Sequence, residues 1–446
     1  MKTPICDFVR EYSAGNPGRL HMPGHKGRPL LGPEPLDITE IPGADTLYAS
    51  GGIIRESEDN AASLFGSART VYSAEGSSLC IRAMLYLAQM HAALQGRRAR
   101  IAAGRNAHRV FLDAAALLDP ELVWLTGERT ELLSCRVSAE ELEPLFSDPE
   151  TAPTAVYLTS PDYLGHCTDL RPVAELCRRH GALLLADNAH GAYLRFLPGE
   201  LHPLQQGADL CCDSAHKTLP VLTGGAYLHF GRSCPAELLP MAERAIALFA
   251  STSPSYLILQ SLDAANAQLA GEYPLRLRET ADLVRTLKAQ LTAQGWRLAE
   301  TEPLKITLLP KEAGYTGQEL AALLAEKNLI CEFADPDALV LMITPETGPE
   351  VLRKLRDTLS AVERRAPITS KAPAPGIPNP VMSPHRAMMQ PFEEIPVGES
   401  VGRILAGPSV SCPPAVPVVL CGERIDEAAV RLFRYYGIQS CLVVKE

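Results

Sequence analysis

Between residues 69 and 230 short apolar runs alternate with amphipathic stretches, and this alternation constrains the fold more than any other feature. Strands are expected at 69–73, 99–103, 121–125, 154–159, 182–186, 208–212 and 225–230. Helices are expected at 58–65, closed by Gly66, at 79–94, ending near Gly96, at 107–118, and at 170–180, ending at Gly181. A further helix starts at Ser138, with Glu141 at the capping-box position. Strands alternating with helices imply an α/β fold, a mainly parallel sheet covered on both faces. The site of such a sheet lies at the carboxyl ends of its strands.

A chain of 446 residues is too long for one small core and predicts several domains. Residues 1–60 are rich in Gly and Pro, short on periodicity, and read as a loop-rich segment. Residues 61–248 form the large α/β domain. Helical patterns at 235–249, 255–269 and 272–294 follow, the last long and charged, as suits a connection. They lead into a smaller α+β unit ending near 365, with strands at 304–309, 329–334 and 338–343 and helices at 317–327 and 348–361. Residues 366–384 are a Pro-rich, extended linker. Residues 385–446 make a small C-terminal unit with strands at 417–421 and 439–444.

The net charge of −10 argues against a general binder of nucleic acid or anionic membranes, and mildly favours cationic substrates. No apolar stretch is long enough to span a bilayer, and the opening MKTPICDFVREYS has no apolar signal region. Twelve cysteines are scattered without a CxxC pair, which suits reduced, buried thiols in a cytoplasmic protein. The vicinal Cys211-Cys212 reads as core packing. His21 and His25 are separated by Pro23-Gly24, which forbids the helical i, i+4 geometry of a metal pair, so no metal is expected.

Three loops that follow expected strands carry unusual chemistry. Ala74-Glu75-Gly76-Ser77-Ser78 opens a helix, where backbone N–H groups and two hydroxyls make a phosphate cradle; alone, the serines are more often helix caps. Asp187 ends an apolar run in Ala186-Asp187-Asn188-Ala189-His190-Gly191. It is either locally hydrogen-bonded or the partner of a protonated pyridine nitrogen. Lys217 lies in Asp213-Ser214-Ala215-His216-Lys217-Thr218, between a buried strand and a Gly-Gly turn. Desolvation there favours the neutral amine that makes Schiff bases; taken alone, a loop lysine is more often simply solvated. Phosphate cradle, pyridinium partner and Schiff-base lysine are the parts that hold pyridoxal 5'-phosphate (PLP). His108, also after a strand, supplies an imidazole for the ring face, or is a solvent-facing residue at a helix start.

The chain resembles the Orn/Lys/Arg decarboxylase family of fold-type-I PLP enzymes, in its short form. The resemblance rests on HMPGHKG (21–27), DITEIPGAD (37–45), EGSS (75–78), GRNAHR (104–109), LTSPDYLG (158–165), DNAHGAY (187–193), DSAHKTLPVLTGGA (213–226), STSPSYLILQSLDAA (251–265) and CEFADPDALVLMIT (331–344). It runs in order through essentially the whole chain. It implies an aspartate-aminotransferase-like core, with Lys217 bonded to the cofactor and Asp187 against the ring nitrogen. Ser77 and Ser78 then bind the phosphate with Ser214 and His216, His108 stacks on the ring, and Ala189 and His190 pack beside it. It also implies a homodimer with the site at the subunit interface, where the Ser251-Thr252-Ser253 hydroxyls reach a partner's phosphate. Assembly through a wing domain is not expected.

The sequence departs from the family pattern in places. Asn188 stands where a glutamate usually follows the aspartate. The C-terminal unit reads Cys412-Pro413-Pro414-Ala415-Val416-Pro417 and Cys421-Gly422-Glu423 in place of Tyr-Pro-Pro-Gly-Ile-Pro and Pro-Gly-Glu. The expected activity is α-decarboxylation of arginine, lysine or ornithine to an amine of the polyamine type, with His216 or the freed Lys217 as proton donor. An aminotransferase and a catalytically idle PLP-binding relative are the rivals. Asp45, Glu332 and Glu423 are candidates to read the substrate's side-chain cation.

Overall fold

The alternating runs form their elements in a computed structural model, which describes residues 1–127, 134–376, 379–411 and 417–445. In chain order these are α1 (Pro4–Ala14), α2 (Ile53–Phe65), β1 (Arg69–Ser73), α3 (Gly76–Leu94), β2 (Arg100–Gly104), α4 (Arg109–Leu118) and β3 (Glu121–Leu125). Next come α5 (Ala139–Leu142), β4 (Ala155–Thr159), α6 (Arg171–Arg179), β5 (Leu183–Asp187), β6 (Leu210–Asp213), α7 (Ala215–Thr218) and β7 (Ala226–Phe230). All seven expected strands form, each shifted by no more than a residue or two.

Two helices begin earlier than their apolar periodicity indicates. The Asp45 carboxylate accepts from the N–H groups of Gly51, Gly52 and Ile54, so the chain is already capped for α2 at Ile53. The Gly76-Ser77-Ser78 turn is the first turn of α3. The loop-rich opening segment also holds a helix, α1. Its first N–H groups, at Ile5 and Cys6, each donate to Asp263 Oδ2 at 3.0 Å. A single buried carboxylate thus replaces the side-chain cap that Thr3 does not provide.

The described residues fall into two units that interleave along the chain. The first comprises Met1–Ala99, Pro153–Ser160 and Asp169–Leu277; the second comprises Arg100–Ala152, Pro161–Thr168 and the residues from Arg278 onward. In the first unit the strands lie in the order β1, β7, β6, β5, β4. β4–β5 and β5–β6 pair in parallel, whereas β6–β7 and β7–β1 are antiparallel. Residues 214–225 join β6 to β7 with only the one-turn α7 among them, and β7 returns antiparallel beside β6. Every residue of β5 and β6 is buried, including Cys211 and Cys212, whose thiols burial holds well above their ordinary range.

Beyond β7 the elements are α8 (Ala242–Ala247), α9 (Tyr256–Leu269), α10 (Tyr273–Ala293), β8 (Lys305–Leu308), α11 (Gly317–Glu326), β9 (Phe333–Ala334), β10 (Leu339–Met342) and α12 (Gly348–Ser360). Pro240 splits the helix expected at 235–249 into a 3-10 turn and the short α8. In the second unit β2 and β3 pair in parallel, and β8, β10 and β9 form an antiparallel sheet. The chain closes with α13 (Pro384–Met388), β11 (Phe392–Pro396), β12 (Ser409–Ser411), β13 (Pro417–Leu420), α14 (Glu427–Tyr435) and β14 (Ser440–Val444). Val397, Leu405, Ile425, Phe433 and Val443 share a core there. Gly422 is required: it has φ +87°, and a Cβ would lie 2.2 Å from the Met382 carbonyl oxygen. The altered stretch Cys412–Val416 lies outside the described residues. No helix among the described residues is long and apolar enough to cross a membrane.

Candidate active site

The strand ends of the first unit bring three loops together. Gly76 (φ +74°) opens α3, and its N–H is taken by the Gly224 carbonyl at 2.7 Å. The N–H groups of Ser77 and Ser78, in the first turn of this long helix, have no partner within it, which is the geometry of an anion cradle. Ser77 is buried, and its hydroxyl accepts from Ser214 Oγ at 2.8 Å. This bond ties the α3 start to the loop that leaves β6. Lys217 sits in α7, half-buried, with Nζ 3.0 Å from His190 Nε2 in the loop that follows β5.

Asp187 is buried at the end of β5. Its Oδ2 accepts from the Tyr157 hydroxyl at 2.9 Å, and its Oδ1 accepts from the Ala189 N–H at 3.2 Å. Cys212 Sγ lies 3.6 Å from the same Oδ1. Ala189 is half-buried and His190 is buried beside it. His216 Nδ1–H donates to the Gly225 carbonyl at 2.9 Å, so the neutral ring carries its lone pair on Nε2. Burial pushes this imidazole below its ordinary range, and Lys217 adds to the effect. Its Nδ1–H is thus committed to the Gly225 carbonyl.

A second cluster lies directly behind these groups, and the residue reading missed it. Asp213 is fully buried at the end of β6. Its Oδ2 accepts from His202 Nε2 at 2.9 Å and from His229 Nε2 at 3.2 Å, and its Oδ1 accepts from Asn188 Nδ2 at 2.6 Å. Burial works against its charge, yet the two imidazoles hold the carboxyl well below the usual range. The departure at Asn188 therefore has a local reason: a glutamate there would set one carboxylate against another. Tyr157 was equally missed, although it shares β4 with Thr159, which lies opposite Asp187 in register. Alternation along β4 puts both on one face. His202, Cys211 and Asp213 have ligand atoms within 4.8 Å of one another, as a metal trio would, but the nitrogen-to-oxygen spacings are those of hydrogen bonds.

The remaining candidates lie elsewhere or are engaged. His108 belongs to the second unit, where it is exposed and its Nδ1 accepts from the Val110 N–H at the start of α4; its ring-stacking role rests on the resemblance alone. The Ser251 N–H donates to Glu75 Oε1 at 2.7 Å. Asp45 is held by the backbone N–H groups that cap α2. Glu423 is buried in a two-pronged pair with Arg105 at 2.6 and 3.0 Å. Glu332 accepts from the Tyr163 hydroxyl at 3.2 Å. His21 meets Tyr12 at 2.6 Å and His25 meets Asp37 at 3.1 Å, so the two histidines have separate partners.

The residues of the first unit fit PLP. A helix start with paired hydroxyls suits a phosphate, a buried carboxylate at a strand end suits a ring nitrogen, and an amine lies beside the loop that carries that carboxylate. In addition the Thr218 hydroxyl, in the same turn as Lys217, is buried without a hydrogen-bond partner. A buried polar atom of that kind is explained by a ligand that completes it.

Comparison with known proteins agrees. The family model for the Orn/Lys/Arg decarboxylase major domain matches residues 3–309, and that for its C-terminal domain matches residues 368–440. The chain is 30% identical over 468 residues to the protein YaaO of Bacillus subtilis (strain 168), covering 97% of this chain and 93% of that one. It is 29% identical over 472 residues to an arginine decarboxylase of Halalkalibacterium halodurans, covering 97% and 93%. Lysine decarboxylase A from Pseudomonas aeruginosa superposes with a TM-score of 0.81 over 99% of this chain and 80% of that one; at 18% identity this is a likeness of fold. The site and both family matches converge: this chain belongs to the Orn/Lys/Arg decarboxylases, PLP-dependent lyases of fold type I.

Proposed function

We propose that the protein removes the α-carboxylate of a basic amino acid, arginine first among arginine, lysine and ornithine, releasing CO2 and the amine. The observation that carries the reading is the linkage of three loops in one unit, Ser214 to Ser77 and Lys217 to His190, around the buried Asp187. The name of the H. halodurans relative favours arginine.

Bound there, PLP supplies an electron-poor ring that takes up the electron pair left when the Cα–carboxylate bond breaks. Ser77, Ser78 and Ser214 would hold its phosphate at the start of α3. Asp187, oriented by Tyr157 and the Ala189 N–H, would pair with the ring nitrogen, and Lys217 would be the amine for the aldehyde. With a substrate bound, the Lys217 amine would be the group that holds a proton for Cα. Burial of Asp187 and Ser77 keeps water from the charged groups, which strengthens their effect. The family and the exposed Leu20, Leu30 and Leu31 of the opening loop support a homodimer.

The test is to incubate the PLP-loaded protein with each of the three amino acids and measure CO2 and keto-acid formation. CO2 without keto acid is expected, from arginine foremost. Keto acid would make it an aminotransferase, and bound PLP without turnover would make it an idle relative. Lys217→Ala is expected to abolish both the visible absorbance of bound PLP and CO2 release; an active variant that still holds PLP covalently would overturn the assignment.

A further inference from the structure

The Asp213 cluster has no part in the chemistry above, although it is the most completely buried polar group beside the site. Asp213, His202, His229 and Asn188 are each fully buried. They come from four places in the first unit: the end of β6, the loop before it, β7, and the loop after β5. The hydrogen positions are mutually consistent. His202 Nδ1 accepts from the Leu204 N–H at 3.3 Å, so its hydrogen sits on Nε2 and is donated to Asp213 Oδ2. His229 Nδ1 meets the Thr70 hydroxyl at 2.8 Å, and Thr70 meets Ser67 at 2.8 Å, so the hydroxyl hydrogens can run Ser67 to Thr70 to His229 and leave Nε2–H for Asp213. The remaining oxygen takes the Asn188 amide, with the Cys211 thiol 3.7 Å away. All donors point at one carboxylate.

Asn188 follows Asp187 directly, and Asp213 immediately precedes Ser214, in the turn that carries Lys217. The Asn188 N–H also donates to the Cys212 carbonyl at 3.0 Å, so the two strand ends are joined by backbone and side chain together. We propose that Asp213 is a positioning residue: through Asn188 it sets the spacing between the loop that carries Asp187 and the turn that carries Ser214 and Lys217, and so pre-forms the PLP site. This rests on the functional reading above. The histidines act through Asp213 by fixing which oxygen faces Asn188.

The arrangement is directional, and that makes it testable. Asn188→Asp sets carboxylate against carboxylate. Asp213→Asn, with its amide oxygen kept toward the histidines, sets one NH2 group against another. The double variant Asn188→Asp/Asp213→Asn restores a donor facing an acceptor. Each variant, checked for native circular dichroism, is stripped of PLP and titrated with it, following the absorbance of the bound cofactor. Each single change is expected to weaken PLP affinity about tenfold or more, from a misdirected buried hydrogen bond, while KM for the amino acid in the loaded enzyme stays within about twofold. The double variant is expected to return to within about threefold of the original affinity. A role confined to folding would lower the melting temperature but leave PLP affinity unchanged. Single variants that bind PLP normally, or a double variant no better than the weaker single, overturn the proposal. Should Asp213→Asn fail to fold, Asn188→Ala removes only the donor; normal PLP affinity in that variant overturns the proposal equally. Failure of the unaltered protein to take up PLP overturns the functional reading itself, and the proposal with it.

Discussion

At the scale of single residues, the groups that meet the cofactor and the groups that hold those in place differ in how visible they are. Asp187 stands out because a charge that ends an apolar run is costly unless it has a use, whereas Lys217 alone reads as a solvated loop lysine and gains weight only beside the other loops. Tyr157 and Asp213 do not stand out, because a tyrosine inside a strand and an acid at its end have ordinary explanations. Their roles depend on partners brought by the sheet: antiparallel β7 sets His229 opposite Cys211, beside Asp213. Tyr157 nevertheless has a measurable consequence. Its hydroxyl hydrogen bond to a carboxylate is worth about 1.5–3 kcal/mol. Tyr157→Phe is therefore expected to lower kcat/KM about ten- to a hundredfold in a folded, PLP-loaded protein. Steady-state kinetics would check this, and an unchanged kcat/KM would show that Asp187 needs no help from Tyr157.

At the scale of elements, periodicity found the strands that are buried on both faces and missed elements that are short or set by a distant group. The single turn of α7 is too brief to show a helical period. β11 alternates exposed and half-buried residues, with Glu393 and Glu394 side by side, so its pattern has no apolar face. The helix α1 is capped from far along the chain, and the strand expected at 329–334 shrinks to Phe333–Ala334. The turn between β9 and β10 shows what local chemistry adds. Asp335 is buried there, and its Oδ1 accepts from the N–H groups of Asp337 and Ala338, both at 2.7 Å. Burial raises its carboxyl to about 6, against the pull of those N–H groups. The folded protein thus holds this proton more tightly than the unfolded chain. The stability it confers is present below about pH 4 and is lost as pH rises through 6, by up to about 3 kcal/mol. Asp335→Asn keeps the acceptor and removes the charge. Its melting temperature is expected to match the unaltered protein near pH 4 and exceed it above pH 7; equal values at both would mean that Asp335 is not destabilising when ionised.

At the scale of the whole molecule, the surface of the first unit carries apolar side chains that a water-facing loop does not need. Leu20, Leu30 and Leu31 are 99%, 86% and 87% exposed, and Met22 lies near them in sequence at 54%. Such residues are the expected substance of a subunit contact. If the proposed dimer forms through this loop, replacing Leu30 and Leu31 together with glutamate is expected to convert it to a monomer in sedimentation equilibrium and to reduce the proposed decarboxylation with it. A variant that remains dimeric would place the contact elsewhere. The cap on α1 has a consequence of another kind, in time. Ile5 and its capping carboxylate, Asp263, are 258 residues apart. At about 5–20 residues per second a ribosome needs roughly 10–50 s to make the intervening chain. For that interval the buried face of α1, with Ile5 and Val9, has no carboxylate to anchor its first turn, so this helix is completed only after residue 263 has been made.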